Sequence, residues 1–561
     1  MAATPESLAR IGYQVMWNRL ISVVEEQAQT LIRTAFGSAT REAGDLSAGV
    51  YDTRGDMLAQ AVTGTPGHVN SMALTVGHVL RKIPLAVMAE GDVFITNDPW
   101  LGTGHLNDLV VVTPVFRRGR AVAFFACTLH VTDIGGLGSP NAGRQVFEEG
   151  LRLPIVRLAS RNGVDKLLID VIAANVREPL QAIGDNYAEI ASNEAGASRL
   201  LAMMREFGME DLDGLAAHIA HHSRAASLDA IRHLPFGTYR NSMTIDGLDA
   251  PIDLVAALTI GADGIAVDFA GTSPVVRAGI NVPLCYTEAY TSFGVKCVVA
   301  PRVPNNTASL ATIRVTAPSG CILNAPDPAP VAGRGAVGQM LPDVVFGCLQ
   351  QAVAGGVPAE GTSCLWNLRL MGGAGRVDAP GAQLAGATPF NVMCFHSGGT
   401  GARPRQDGLS ATAFPSGVRN VPVEVTESVA PVLIRHKEYR RDSGGIGAQR
   451  GGLGQVMVIE SAEDKPFAIA MNFDRVRFPP RGRAGGGPGA AGKVRLRSGA
   501  TLPSKGQVTI PAGDAVVVEM PGGGGYGDPR GRDPNSVVQD VAQGFVSLEA
   551  ALHDYGVSTE S

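Results

Sequence analysis

The chain has little of what would place it outside the cell, in a membrane or on nucleic acid. Its seven cysteines stand singly, without a C-x-x-C pair. An odd set of isolated thiols argues against a disulfide framework and fits a reducing compartment. No apolar run approaches the length of a membrane span, and the opening M-A-A-T-P-E-S has neither a basic n-region nor an apolar h-region. No membrane association and a cytoplasmic location are therefore expected. The formal charge of −5 comes with no basic stripe, so nucleic acid is not an expected partner. Aromatic residues are scarce at 5%, whereas 70 glycines and 35 prolines call for many tight turns and loop-built surfaces. What remains, 561 residues with 45% hydrophobic and 18% charged, describes a globular protein long enough for several domains.

The most informative stretch is residues 97–136. It reads N-D-P-W-L-G-T-G-H-L-N-D, then an apolar run (109–116), Arg117-Arg118-Gly119-Arg120, a second apolar run (121–129) and H-V-T-D-I-G-G. Both runs are rich in β-branched and aromatic residues and too short for buried helices, so strands are expected. The charged tetrapeptide with its glycine is a turn signal, which makes the pair an antiparallel hairpin. Folded at that turn, paired residue numbers sum to about 237, and His130 falls beside Asn107 and Asp108. His105, Asp108 and His130 then gather at one end of the hairpin. Two imidazoles and a carboxylate form the ligand set of Zn, Mn or Fe(II) sites that keep positions open for substrate. A regular ladder turns His130 to the side of Asn107, not Asp108. The site therefore needs a one-residue bulge, or residues 102–105 must be loop. The alternative reading is a polar cluster at a strand end, each histidine bonded to backbone.

Around this hairpin the pattern is mixed. Residues 7–36 are helical up to Gly37; 46–52 and 56–62 flank Thr53-Arg54-Gly55 as a hairpin. T-P-G-H-V-N-S-M carries His68 before a helix at about 71–79, so His68 is either a site residue or a group that satisfies the helix start. Residues 139–150 read as a glycine-rich loop closing on Glu148-Glu149-Gly150. A helical stretch covers about 165–233, with His218, His221 and His222 on a solvated face. Leu234-Pro235-Phe236-Gly237 marks a boundary. Beyond it come strands at 242–246, 254–260 and 265–269, helices at 286–299 and 340–353, and short strands alternating with glycine-rich loops to about 520. Asp533-Pro534 starts a terminal helix that stops at Gly544, and a shorter one begins at Ser547. The expected class is α+β: a large multidomain subunit whose antiparallel hairpins carry a metal site. Its regions are 1–235, 236–530 and a helical tail at 531–561.

Two patterns resemble phosphate loops. Gly333-Arg334-Gly335-Ala336-Val337-Gly338 satisfies G-x-G-x-x-G but follows A-P-D-P-A-P, not a strand. Residues 487–493 space as G-x-x-x-x-G-K, but Val494 stands where a magnesium-binding hydroxyl belongs. Both read as loops without nucleotide. There is no G-x-S-x-G elbow and no cysteine in a catalytic setting.

Ordered segments along the whole chain carry a resemblance. They are N-R-L-I-S-V-V-E-E, R-T-A-F, G-D-V-F-I-T-N-D-P-W, H-V-T-D-I-G-G, N-V-R-E-P, F-A-G-T-S-P, R-D-S-G-G-I-G, R-G-G-L-G and P-G-G-G-G-Y-G-D-P. The sequence resembles the hydantoinase B/oxoprolinase family: N-methylhydantoinase B-type subunits, the C-terminal half of 5-oxoprolinase, and the large subunits of acetone and acetophenone carboxylases. The resemblance implies that His105, Asp108 and His130 hold one divalent metal. It implies a partner too, a hydantoinase A-type subunit that uses ATP with Mg²⁺ to phosphorylate the oxygen of a cyclic amide. The implied function is the metal-bearing B-type subunit of an ATP-dependent hydrolase of a hydantoin, oxoproline or lactam, within a hetero-oligomer. The alternatives are a large subunit of an ATP-dependent ketone carboxylase and a non-catalytic scaffold. The family commonly has Tyr at the position of Trp100, G-G-T at Gly102-Thr103-Gly104 and Pro at Asn107, departures that bear on substrate choice. Asp133 reads as the group orienting a ligand imidazole, with His68, Asp45, Glu149 and Trp100 as further pocket candidates.

Overall fold

A computed structural model describes residues 5–138, 142–353, 355–372 and 389–558. The first half runs α1 (Pro5–Thr34), α2 (Ser38–Arg41), β1 (Leu46–Tyr51), β2 (Met57–Gln60), α3 (Pro66–Lys82), β3 (Val93–Thr96), β4 (Asp108–Arg117), β5 (Arg120–His130), β6 (Val156–Ser160), β7 (Gly163–Val164), α4 (Lys166–Asn175), α5 (Pro179–Glu206) and α6 (Asp213–Arg232). Its strands form one antiparallel sheet in the order β2-β1-β5-β4-β3-β6-β7.

The β4–β5 hairpin lies near the middle of that sheet and is covered on both faces. Leu109, Val111, Phe125, Cys127 and Leu129 face a core shared with α1, α5 and α6. Val110, Val112, Phe124 and Ala126 face α3. Coverage on both faces explains why each strand is continuously apolar instead of alternating. Arg118 and Gly119 connect the strands with φ of 51° and 75°, a two-residue turn whose twist matches the hairpin.

The register contains the bulge that the site requires. Arg117 pairs with Arg120 and Phe116 with Ala121, but Val115 pairs with Ala123, leaving Val122 over. From there the ladder runs one residue out of its starting register, and Asp108 pairs directly with His130. Both side chains point to the α3 face.

The second half continues with β8 (Gly237–Ile245), β9 (Ile252–Gly261), β10 (Gly264–Asp268), α7 (Leu284–Val299), α8 (Thr307–Leu310), β11 (Ile313–Thr316), α9 (Gly335–Gly338), α10 (Leu341–Leu349), β12 (Leu368–Gly372), β13 (Phe390–Cys394), α11 (Val423–Val429), β14 (Val432–Tyr439), β15 (Gln455–Ser461), β16 (Phe467–Asn472), β17 (Lys493–Leu496), β18 (Lys505–Ile510) and β19 (Ala515–Glu519). They form sheets ordered β11-β10-β9-β8, β13-β12-β16-β18 and β14-β15-β19-β17. The terminal α12 (Pro534–Ala542) and α13 (Leu548–Ala550) start at Asp533 and Ser547, whose side chains accept from Asn535 N and Ala550 N. Within 139–150, expected as a loop, residues 146–148 form one helical turn, while 139–141 lie outside the described residues. Mixed helix and sheet is thus the architecture, antiparallel throughout the described strands except where β10 pairs β11 in parallel.

The glycine-rich segments expected as loops between strands are packed extended backbone. Gly452 N donates to Thr400 O at 2.9 Å, Gly523 N to Gly452 O at 2.9 Å, and Gly445 N to Gly523 O at 2.8 Å. Gly525 N reaches Gly487 O at 2.9 Å, and Gly487 N reaches Ile446 O at 2.7 Å. A methyl group on Gly399, Gly451, Gly522, Gly523 or Gly525 would overlap a neighbouring carbonyl oxygen. None of these has a positive φ. They are glycine because another backbone occupies the space of a side chain, not because of chain direction. The slab ties strands from two sheets to the segment entering β12.

Candidate metal centre

Asp108, at the first position of β4, is the hub and has no exposed surface. Its Oδ2 accepts from Thr103 Oγ1 at 2.7 Å and from Arg334 Nη2 at 2.6 Å, and lies 2.9 Å from His68 Nε2. Its Oδ1 lies 2.8 Å from His105 Nε2 and 3.0 Å from His130 Nδ1. One oxygen is thus held by donors while the other faces two imidazoles. The ladder brings His130 in from β5, and the loop before β4 supplies His105. His68 arrives on the first turn of α3, where its Nε2 lies against Asp108 and no side chain caps the helix start.

The tautomer of His105 is defined by its other nitrogen. Nδ1 lies 3.0 Å from Ala332 O, and a carbonyl only accepts, so Nδ1 carries the hydrogen. Nε2 then presents a lone pair to a carboxylate oxygen, and it is buried without a hydrogen-bond partner. Burial and the Arg334 charge push the His105 pKa down to about 4, so a proton does not fill the gap at neutral pH. Burial works against ionisation of Asp108, but the positive charges of His68 and Arg334 hold the carboxyl well below its usual range. Two lone pairs thus converge at 2.8 Å, an arrangement that a cation could complete. His130 Nε2 is also buried and unpartnered. Ligand atoms of His105, Asp108 and His130 lie within 4.8 Å of one another, so the donor set fits a divalent ion.

The remaining candidates divide. Asp45 lines the cavity 3.5 Å from His68 Nδ1. Burial lowers the His68 pKa, but the Asp108 and Asp45 carboxylates together raise it overall. Glu149 also lines the cavity, accepting from Val331 N at 3.0 Å and Ala332 N at 2.9 Å, and burial pushes its pKa up to about 7. It thereby fixes the carbonyl that orients His105, the task expected of Asp133. Asp133 instead takes the backbone N–H and guanidinium of Arg177, the latter at 2.7 Å. Trp100 does not line the cavity: its Nε1 donates to Ala325 O at 2.8 Å, and the Arg152 guanidinium lies 5.0 Å from its ring centroid. The histidines of α6 stay apart from the centre; His218 stacks on Tyr13 at 5.1 Å.

Arg334 is the site residue that sequence reasoning missed. Besides Asp108 it bonds Thr103 O through Nε at 2.6 Å, and its guanidinium lies 4.0 Å from the Tyr286 ring centroid. It comes from the G-x-G-x-x-G segment read as an idle loop. The signal available was Gly104: at φ +94° it leaves room that a side chain would take from Arg334. The departure from G-G-T has a use as well, placing the Thr103 hydroxyl on Asp108.

These groups open onto a cavity of about 180 Å³. Its far wall is one face of the β13-β12-β16-β18 sheet, with Arg369 of β12, Leu365 and Asn367 from the segment entering that strand, and Met393, Phe395, Ala470 and Asn472 beside them. Phe395 meets the His130 ring edge-on at 6.2 Å. Residues on both sides of position 235 therefore build one site.

Comparison with known proteins agrees with this architecture. The chain is 28% identical to a Pseudomonas sp. protein described as the B-type subunit of a D-/L-hydantoinase, over 98% of this chain and 95% of that one. It is 28% identical to 5-oxoprolinase 1 of Arabidopsis thaliana, covering 93% of this chain and 42% of that longer protein. The ATP-dependent caprolactamase structure from Pseudomonas jessenii superposes with a TM-score of 0.87 at 24% identity, covering 100% of this chain and 97% of that one. The model of the hydantoinase B/oxoprolinase family matches residues 9–529, and the chain belongs to that family.

Proposed function

We propose that this chain is the metal-bearing subunit of an ATP-dependent enzyme that opens a cyclic amide, working with an A-type subunit that uses ATP and Mg²⁺. His105, Asp108 and His130 hold one divalent ion, Zn, Mn or Fe. The observation that carries this reading is the His105 Nε2 lone pair set 2.8 Å from Asp108 Oδ1 on the wall of the cavity. When bound, the ion supplies Lewis acidity to an amide carbonyl or to water.

The chain's own residues do the rest. Arg334, Thr103 and His68 hold Asp108 Oδ2, which leaves Oδ1 to the ion. Glu149 and Ala332 fix the His105 tautomer. Leu365, Met393, Phe395 and Val418 line the cavity and limit water. Amides resist attack by water, and activation by ATP on a partner overcomes that resistance.

Two observations support a partner for the ATP chemistry. Glycine N–H groups of both phosphate-loop patterns are internally bonded: Gly333 N donates to Gly279 O at 2.5 Å, Gly338 N to Arg334 O at 2.9 Å, and Gly489 N to Pro480 O at 2.9 Å. The hydantoinase relative is itself described as a B-type subunit. Coexpression with the A-type subunit, scored for ATP use and product across lactams, hydantoins and ketones, tests the proposal. Cyclic-amide opening that depends on both chains, ATP and metal is expected; turnover by this chain alone without ATP refutes it.

A further inference from the structure

Arg369 stands in the middle of the cavity's sheet wall without a counter-ion of its own among the described residues. In β12 it pairs with Met393 of β13 on one side and Ala470 of β16 on the other, so neither flanking side chain competes for its charge. Its Nε donates to Asn391 Oδ1 at 3.0 Å and its Nη1 to Gly138 O. Its Nη2 is 3.8 Å from Asp133 Oδ1, beyond hydrogen-bond reach. Asp133 is already engaged by Arg177. Two guanidiniums thus share one carboxylate, which leaves a net positive charge where the Arg369 side chain is only 11% exposed. Burial lowers its pKa, and Asp133 offsets this only in part.

A buried cation short of an anion is unfavourable in the free protein, and a ligand oxyanion relieves it. A guanidinium is also the side chain best shaped to receive one. Two residues earlier, in the segment entering β12, Asn367 lines the same wall with its Oδ1 buried and unpartnered. A carboxamide oxygen accepts only, so it complements an N–H. Ser416 Oγ, in the same cavity, is likewise buried and unpartnered. The neighbouring strand carries Met393 beside Arg369 and, two residues on, Phe395 against His130. The wall therefore runs from a cation, past an N–H acceptor, to the imidazoles.

Resting on the function proposed above, we propose that Arg369 receives an oxyanion of the ligand and Asn367 its ring N–H. The substrate class is then a small cyclic amide bearing a carboxylate, as in 5-oxoproline, in place of a neutral lactam. A phosphate group presents the same chemistry to Arg369, and the test separates the two sources.

The experiment is calorimetric titration of the metal-loaded full chain with 5-oxoproline, 2-pyrrolidinone (the same ring without the carboxylate) and inorganic phosphate. Charge-assisted hydrogen bonds to a buried guanidinium make 5-oxoproline about 10- to 100-fold tighter than 2-pyrrolidinone. Arg369→Met removes the difference, and Arg369→Lys restores part of it. Phosphate that displaces 5-oxoproline only weakly assigns the oxyanion to the substrate. Phosphate that binds as tightly, with 5-oxoproline no better than 2-pyrrolidinone, assigns it to a phosphate group. Equal affinity for both rings with no phosphate binding overturns the proposal, and this comparison needs no variant to fold. Metal content measured on the same sample separates the two readings. A chain that binds no metal refutes the metal centre, whereas a metal-loaded chain indifferent to oxyanions refutes only the role of Arg369.

Discussion

Replacing Arg334 by Met removes the guanidinium from Asp108 while keeping an apolar stem against Tyr286. Two bonds of 2.6 Å are lost, to Asp108 Oδ2 and Thr103 O. The Arg334 and Asp108 side chains are 5% and 0% exposed, so solvent does not screen the effect. Removing one partner of such a pair costs about 3–5 kcal/mol, because the remaining charge stays buried. His68, whose pKa the two carboxylates raise, compensates in part. The expected loss is about 3 kcal/mol, at the lower end of that range. A divalent ion at Oδ1 supplies the missing positive charge, so the loss falls to about half or less when metal is present. The assay is denaturant unfolding of parent and variant, each stripped with chelator and each reloaded with metal. The four curves form a cycle in which the coupling between Arg334 and the ion is read directly. A loss below about 1 kcal/mol in the stripped protein refutes the compensation by Arg334. Equal losses with and without metal refute the sharing of Asp108 by the guanidinium and an ion.

His105→Ala and His130→Ala each leave two of three ligands, and elemental analysis should find the metal lost from both; full metal in either folded variant removes that residue from the ligand set. The chain alone should give no stoichiometric ATP titration in the micromolar range by calorimetry, because its glycine-loop N–H groups are internally bonded. Glu149 has a folded pKa of about 7 against an ordinary 4.5, so the folded protein retains a proton that the unfolded chain has released. Its contribution is most favourable below pH 4.5 and declines as pH rises to about 7. The unfolding midpoint should therefore drop between about pH 5 and pH 8 by less in Glu149→Gln than in the parent, and equal drops would contradict the assignment. Gly523→Ala, whose methyl meets Thr400 O, should abolish soluble protein or lower its midpoint sharply. Gly12→Ala, in open space on α1, should be neutral or mildly stabilising.

Local chemistry was readable in the sequence, and distant partnership was not. The β4–β5 strands followed from β-branched runs, the turn from Arg118-Gly119, and the Asp533 cap from its following proline. The helix expected at 286–299 is Leu284–Val299, and the strand expected at 265–269 is Gly264–Asp268. The parity conflict between His130 and Asp108 was visible as a demand for a bulge, but no residue type marks Val122 as the unpaired one. Arg334 and Arg369 show the limit. Arg334 reaches its carboxylate across 226 residues, and Arg369 sits in a short strand whose neighbours name no partner. Composition also misled: dense glycine signals turns when read locally, whereas here it permits backbone to lie against backbone. Asp133 lines the cavity but spends its carboxylate on Arg177, and Trp100, assigned to the site by nearness in sequence, is drawn away to Ala325.

The glycine slab also bears on how the protein responds to temperature. Elsewhere in the chain, unfolding hydrates aliphatic and aromatic surface, which raises the heat capacity and bends the stability curve downward on cooling. The slab has almost no such surface to expose; unfolding it hydrates peptide groups, and polar exposure lowers the heat capacity. Its bonds therefore do not fade in the cold as apolar burial does. Because the slab joins the strands behind the cavity's sheet wall, that wall should stay registered at temperatures where the apolar cores around the β4–β5 hairpin have begun to weaken.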